Sequence, residues 1–171
     1  IPDSAGHIRP SDHIAPERAR ILADMEKLRL SSGELPSPTP KAFHNVPPQA
    51  ERAVAERLLL SGMATLVHES DMPLNEKYWP LTGGLFCVKK NSLVDRLIYD
   101  RRAQNHWDSR LRWTTLPSAS NFRRLVLNST EYLRGSGTDL KNFFYTLAHE
   151  PNWIPYQAVG RPFPYSFACR F

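Results

Sequence analysis

Apolar residues recur at helical spacing in two stretches of the chain. From Pro16, which suits a first helical position, Ile21, Leu22, Met25 and Leu28 fall on one face and Ser31-Ser32-Gly33 closes the run, so the spacing predicts a helix over 16–30. Over 48–60, Ala50, Ala53, Val54 and Leu58 share one side, with Glu51, Arg52, Glu56 and Arg57 on the other, the clearest amphipathic pattern in the chain. Ser61-Gly62 stops that helix, and Met63 to Val67 reads as a short strand. Leu85-Phe86-Cys87-Val88 and Arg96-Leu97-Ile98-Tyr99 are strand-like runs separated by the polar stretch Lys89 to Asp95. That pattern predicts an antiparallel hairpin over 85–100 with a basic, exposed tip. Further on, Ser118 is placed to cap a short helix through Phe122 to Leu125, Gly135-Ser136-Gly137 makes a turn, and a helix fits 142–148. Nothing after Pro151 reads as helix or strand.

Proline changes the picture at both ends. Fifteen prolines against eight glycines crowd into 36–48 and 151–164, where they favour extended, relatively stiff connections. The chain therefore divides into an N-terminal helix with a Pro-rich linker (1–48), a central region (49–150) and an irregular Pro-rich segment (151–171). The linker either wraps the domain or marks a boundary. With 171 residues, 41% of them hydrophobic, one α/β (α+β) domain with a real core is expected, and wholesale disorder is excluded.

Twenty-two Lys and Arg against seventeen Asp and Glu give a net charge of +5, a mild lean toward polyanions. No secretory apolar region or long apolar run is present, which argues against membrane insertion and favours an intracellular setting. The first residue is Ile1 rather than Met, as in a processed chain or a piece of a longer one. Cys87 and Cys169 lack metal-ligand or redox spacing and read as buried free thiols. The six histidines show no zinc pattern. Asn128-Ser129-Thr130 matches a glycosylation triplet, but without a secretion signal it carries no weight.

From Lys89 to Arg124, nine basic residues oppose Asp95, Asp100 and Asp108, with Phe86, Tyr99, Trp107, Trp113 and Phe122 nearby. Basic residues beside aromatic ones suit a nucleic-acid strand, although a solvated basic face over core aromatics explains the composition more simply. The order of residues shifts that balance. Gly84-Leu85-Phe86-Cys87-Val88-Lys89-Lys90, a short gap, then Arg96-Leu97-Ile98-Tyr99-Asp100-Arg101-Arg102-Ala103-Gln104-Asn105 resembles the fingers hairpin of reverse transcriptases. Asp139-Leu140-Lys141-Asn142-Phe143-Phe144-Tyr145 resembles their first palm motif, and Glu56 to Met63 is similar to the helix-Gly-strand lead-in. The resemblance covers about 49–147.

The resemblance implies partial fingers and palm of an RNA-directed DNA polymerase of a retroelement. It makes Asp139 the first catalytic carboxylate, with Asp139 and the Leu140 carbonyl holding Mg²⁺, hard oxygen donors that this ion prefers. Read alone, Asp139 is better explained as a helix cap before Lys141 to Leu147. Lys89, Lys90 and Arg96 would meet the triphosphate of the incoming nucleotide, and Phe144 would pack against its sugar. Phe143 stands where retroviral members commonly have a small residue. Arg102 would lie near the template strand, with Asp100 as structural partner of a neighbouring arginine. Strand alternation, with the lysines reaching over the tip, is expected to gather Lys89, Lys90, Arg96 and Arg102 on one face.

One departure limits the implied chemistry. The family's later aromatic-x-Asp-Asp turn is missing, since no Asp-Asp dipeptide occurs and Glu150 is the sole acid after Asp139. A two-metal site cannot be assembled on one carboxylate, so this chain by itself is not expected to polymerise. The implied function is the template- and nucleotide-contacting part of the polymerase, with dNTP and a single strand or RNA–DNA hybrid as partners. The alternative is a non-catalytic interaction or structural subunit that docks protein or a ribonucleoprotein assembly.

Overall fold

The computed structural model describes residues 1–35, 38–109, 124–138 and 143–171. The architecture is mixed α/β, helices with a two-stranded antiparallel sheet. Contacts divide the chain into Ile1–Ser109 with Asn142–Phe171, and Arg110–Lys141. In the second unit, residues 125–138 contain no helix or strand, and a turn is closed by Asn128 O accepting from Glu131 N–H at 3.0 Å.

In the first unit, helix α1 (Pro16–Leu22) ends well short of residue 30. The side chain of Asp24 competes for the backbone there: it accepts from Lys27 N–H at 3.4 Å and pairs with the Lys27 ammonium at 2.7 Å, opening a separate 3-10 turn at Glu26–Leu28. Met25 and Leu28 are buried all the same. Helix α2 (Pro48–Leu60) has the expected bounds. It closes in a Schellman turn: Gly62 sits at φ +73°, its N–H donates to Leu59 O, and Met63 N–H donates to Leu58 O. Residues 63–67 consequently leave the helix as a cap that packs Met63 on the core, with no strand among them.

Strands β1 (Gly84–Lys89) and β2 (Asp95–Asp100) form the hairpin, in a register that pairs Leu85 with Tyr99, Phe86 with Ile98, Val88 with Arg96 and Lys89 with Asp95. Alternation sends Leu85, Leu97 and Tyr99 inward, onto Val46 and Leu58 with Val54, Met63 and Val159. A second cluster joins Leu81 to Ala103 and Trp107 of helix α3 (Arg102–Trp107). The Pro-rich linker wraps the sheet. Asn45 N–H donates to Leu85 O at 2.8 Å, and Leu85 N–H donates to His44 Nδ1 at 3.1 Å. The backbone at Phe43 passes so close that a Cβ on Gly84 would lie 2.0 Å from Phe43 O.

The C-terminal segment is ordered into the same unit, contrary to the irregular chain its prolines suggest. It holds a 3-10 helix (Pro151–Gln157), a parallel bridge from Val159 to Gly83, and a short final helix (Tyr165–Ala168). Phe167 is fully buried, stacked on Phe163 at 4.4 Å with the Arg52 guanidinium against its ring. Helix α4 (Phe143–Thr146) ends before the expected residue 148. The helix expected at 118–125 lies mostly outside the described residues. Cys87 and Cys169 are exposed rather than buried, one within β1 opposite Leu97 and one just past the last helix.

Candidate nucleic-acid interface

The base of the hairpin is a bonded frame. Tyr99 Oη donates to Gln157 O at 2.9 Å and accepts from Gln104 Nε2 at 3.1 Å, and burial pushes the phenol up to about 12. Gln104, fully buried, also donates to Ala158 O at 2.9 Å. Beside it, His44 Nε2 bonds Glu51 Oε2 at 2.9 Å, and Glu51 accepts from the Arg161 guanidinium and from Arg161 N–H. With Nδ1 accepting from Leu85, His44 is fixed as the tautomer that donates from Nε2. A Cβ on Gly160, at φ +85°, would stand 2.9 Å from Glu51 Oε1. Gln157, Ala158, Leu85 and Arg161 do not announce themselves as partners in the sequence, because their bonds join distant segments.

Asp100 terminates the frame. Its carboxylate accepts from Arg102 Nε at 3.0 Å, Arg102 Nη2 at 2.8 Å and Phe43 N–H at 2.6 Å. The Arg102 hydrogen bonds hold the Asp100 carboxyl well below the usual carboxylate range, and Asp100 in turn raises Arg102. Asp100 is thus the structural partner of an arginine, and that arginine is the residue expected at the template. Arg102 is nevertheless 63% exposed. Arg101 turns the other way, to Asp108 Oδ2 at 3.1 Å.

Outside the frame, the solvent side of the sheet carries Phe86, Val88, Arg96 and Ile98. Phe43 meets Phe86 edge to face at 5.2 Å, and with Ile98, Tyr99, Asp100 and Arg102 these rings line an open hollow of about 240 Å³. At the tip, Lys90 N–H donates to Val94 O at 3.1 Å, and Asn91 Oδ1 accepts from Leu93 and Val94 N–H. Lys89, Lys90 and Arg96 are exposed and join no ion pair among the described residues.

The expected gathering of these cations on one face is corrected by the register. Arg96 opposes Val88 on the solvent side, whereas Lys89 opposes Asp95 on the side of Leu85 and Leu97. Lys90, past the strand, belongs to the turn. Phe144 is 82% exposed on α4, whose backbone bonds run to Gly6 and Ile8. No hydrogen bond, ion pair or ring contact among the described residues joins it to the hairpin. Asp139 and Leu140 lie outside the described residues. Among those that are described, no group of three His, Cys, Asp or Glu side chains suited to a metal occurs, and no helix is long and apolar enough to cross a membrane.

Sequence reasoning missed Phe43, which sits in a stretch legible only as a linker. Compared with known proteins, the chain matches no protein family, no curated protein and no solved structure.

Proposed function

We propose that the hairpin binds a nucleic-acid strand, as the template- and nucleotide-contacting part of a reverse-transcriptase-like polymerase. The observation that carries this reading is the hollow of Phe43, Phe86 and Ile98 beside Arg102, with Arg96, exposed and in no ion pair among the described residues, on the same side of the sheet. A base has an apolar face to rest on there, and its phosphates have cations within reach. Arg102 is oriented by a buried carboxylate, so little side-chain entropy is lost when it meets a phosphate. Lys89 and Lys90 at the tip, with Arg96, take the triphosphate of an incoming nucleotide, and Phe144 its sugar. Asp139 with the Leu140 carbonyl would hold Mg²⁺, which would stabilise charge on the transferred phosphoryl group; the oxygen donors suit the ion, but a single carboxylate leaves the two-metal arrangement incomplete.

The second reading is a non-catalytic subunit that binds RNA or protein without turnover. It is favoured by the missing Asp-Asp pair and by Phe144, which no hydrogen bond, ion pair or ring contact among the described residues joins to the hairpin. The test is anisotropy of a labelled single-stranded oligonucleotide across a salt series, with primer extension run alongside. Weak binding without sequence preference and without extension is expected, and Arg96→Ala with Arg102→Ala should flatten the slope of log affinity against log salt by about one to two units. Unchanged binding by the double variant would defeat the template role. Extension by the chain alone would defeat the argument from the missing carboxylate.

A further inference from the structure

The loop between Leu74 and Pro80 is pinned at many points, yet it turns its largest side chains outward. Leu74 and Pro80 form an antiparallel bridge, and Leu81 N–H donates to Pro73 O at 2.8 Å. Inside the loop, Asn75 Oδ1 accepts from Lys77 N–H at 2.8 Å and Trp79 N–H at 3.1 Å, while Asn75 N–H donates to Trp79 O at 2.8 Å. The Glu76 carboxylate accepts from Thr39 N–H at 2.9 Å and from its hydroxyl, and Thr39 Oγ1 itself accepts from Nε1 of the buried Trp107. These bonds hold Tyr78 at φ +60°, the one positive φ at a non-glycine among the described residues. A bulky side chain in that region is strained and persists only where its surroundings impose it.

What the strain achieves is display. Tyr78 is 85% exposed and Trp79 is 69% exposed, an arrangement that gains nothing for folding. The stretch of sequence that carries these rings is opposite in charge to the rest of the chain. Residues 66–82 carry Glu69, Asp71 and Glu76 against Lys77, which is −2 inside a chain of +5 and leaves +7 elsewhere. An acidic stretch of this kind repels a phosphate backbone and attracts a cationic segment. Exposed rings on an acidic stretch suit guanidinium groups in particular, which stack on rings and pair with carboxylates.

We propose that residues 69–79 form a docking site for an arginine-rich segment of a protein partner, with Tyr78 and Trp79 receiving guanidinium groups on their ring faces and Glu69 and Asp71 pairing further cations. This site shares no residue with the hairpin site, and it holds or falls independently of the nucleic-acid reading.

The test is calorimetric titration of the full chain with a short Arg-Gly repeat peptide, and in parallel with a single-stranded oligonucleotide. Trp79→Ala should weaken the peptide about tenfold. Tyr78→Gly should do the same while keeping the fold at least as stable, because glycine adopts this φ without strain. Glu69→Gln with Asp71→Asn should weaken it about threefold and reduce its salt dependence. Oligonucleotide affinity should not fall in any of these variants. The proposal is overturned if the wild-type chain does not bind the peptide, if Tyr78→Gly and Trp79→Ala bind it as the wild type does, or if these variants lose the oligonucleotide instead, which would make the loop a base-stacking surface.

Discussion

The two ends of the hairpin are built on different principles. At its base, Gly84, Tyr99, Asp100 and Gln104 are locked to residues 43–46 and 157–161 by close packing and by hydrogen bonds that span long sequence distances. At its tip, Lys89, Lys90 and Arg96 are exposed and make no ion pair among the described residues. A motif that looks continuous in the sequence thus has two halves, one that organises the fold and one that is left for a ligand. Arg102 stands at the junction, anchored by Asp100 and still largely open to solvent.

The contrast breaks most sharply at Gly84. A side chain there must displace the Phe43 backbone, so Gly84→Val should cost about 3 kcal/mol in a denaturant melt. A tolerated valine would show that the linker does not need its close path over the sheet. Gln104→Leu comes next. It removes one of the two donors to the Ala158 carbonyl, which keeps Gly83 N–H, and the donor to Tyr99 Oη, a loss of about 1–2 kcal/mol by the same melt.

A subtler effect is expected from Asp100, and its sign follows from a depressed carboxyl. The folded-state value lies below that of the unfolded chain, so its contribution is complete above the ordinary value of about 3.9 and is lost as pH falls below it. Asp100→Asn should therefore be less stable than the wild type near neutrality, and its melting temperature should decline less between neutral and acidic pH. Parallel curves would mean that Asp100 is not held by Arg102. Smallest of all, Lys89→Ala, Lys90→Ala and Arg96→Ala should each change stability by less than about 0.5 kcal/mol. A larger loss at any of them would show that the tip, too, is part of the frame.

Local pattern made some of this readable. The bounds of α2 and the hairpin follow from spacing and flanking polar residues, and Asp100 as an arginine partner follows from its position between strand and basic pair. Helix α1 was overextended because periodicity continues through Met25 and Leu28 while Asp24 has already bent the chain. The lysine and arginine faces were misjudged because a shared tip does not imply a shared side, which only the register decides. Glu51 lies on the charged face of a well-patterned helix, and nothing near it in sequence indicates that it accepts from Arg161, more than a hundred residues away. The order after Pro151 was hidden for the same reason, since its bonds go to Gly83, Tyr99 and Gln104.

The division between a bonded base and a receptive tip can be read residue by residue from amide chemical shifts as a single-stranded oligonucleotide is added at low salt. The account predicts saturable shifts concentrated at Phe43, Phe86 to Arg96, Ile98 and Arg102, fading as salt is raised, with Tyr99, Gln104, Ala158 and Arg161 unmoved. Shifts absent from the hairpin, or centred on its buried base, would contradict it.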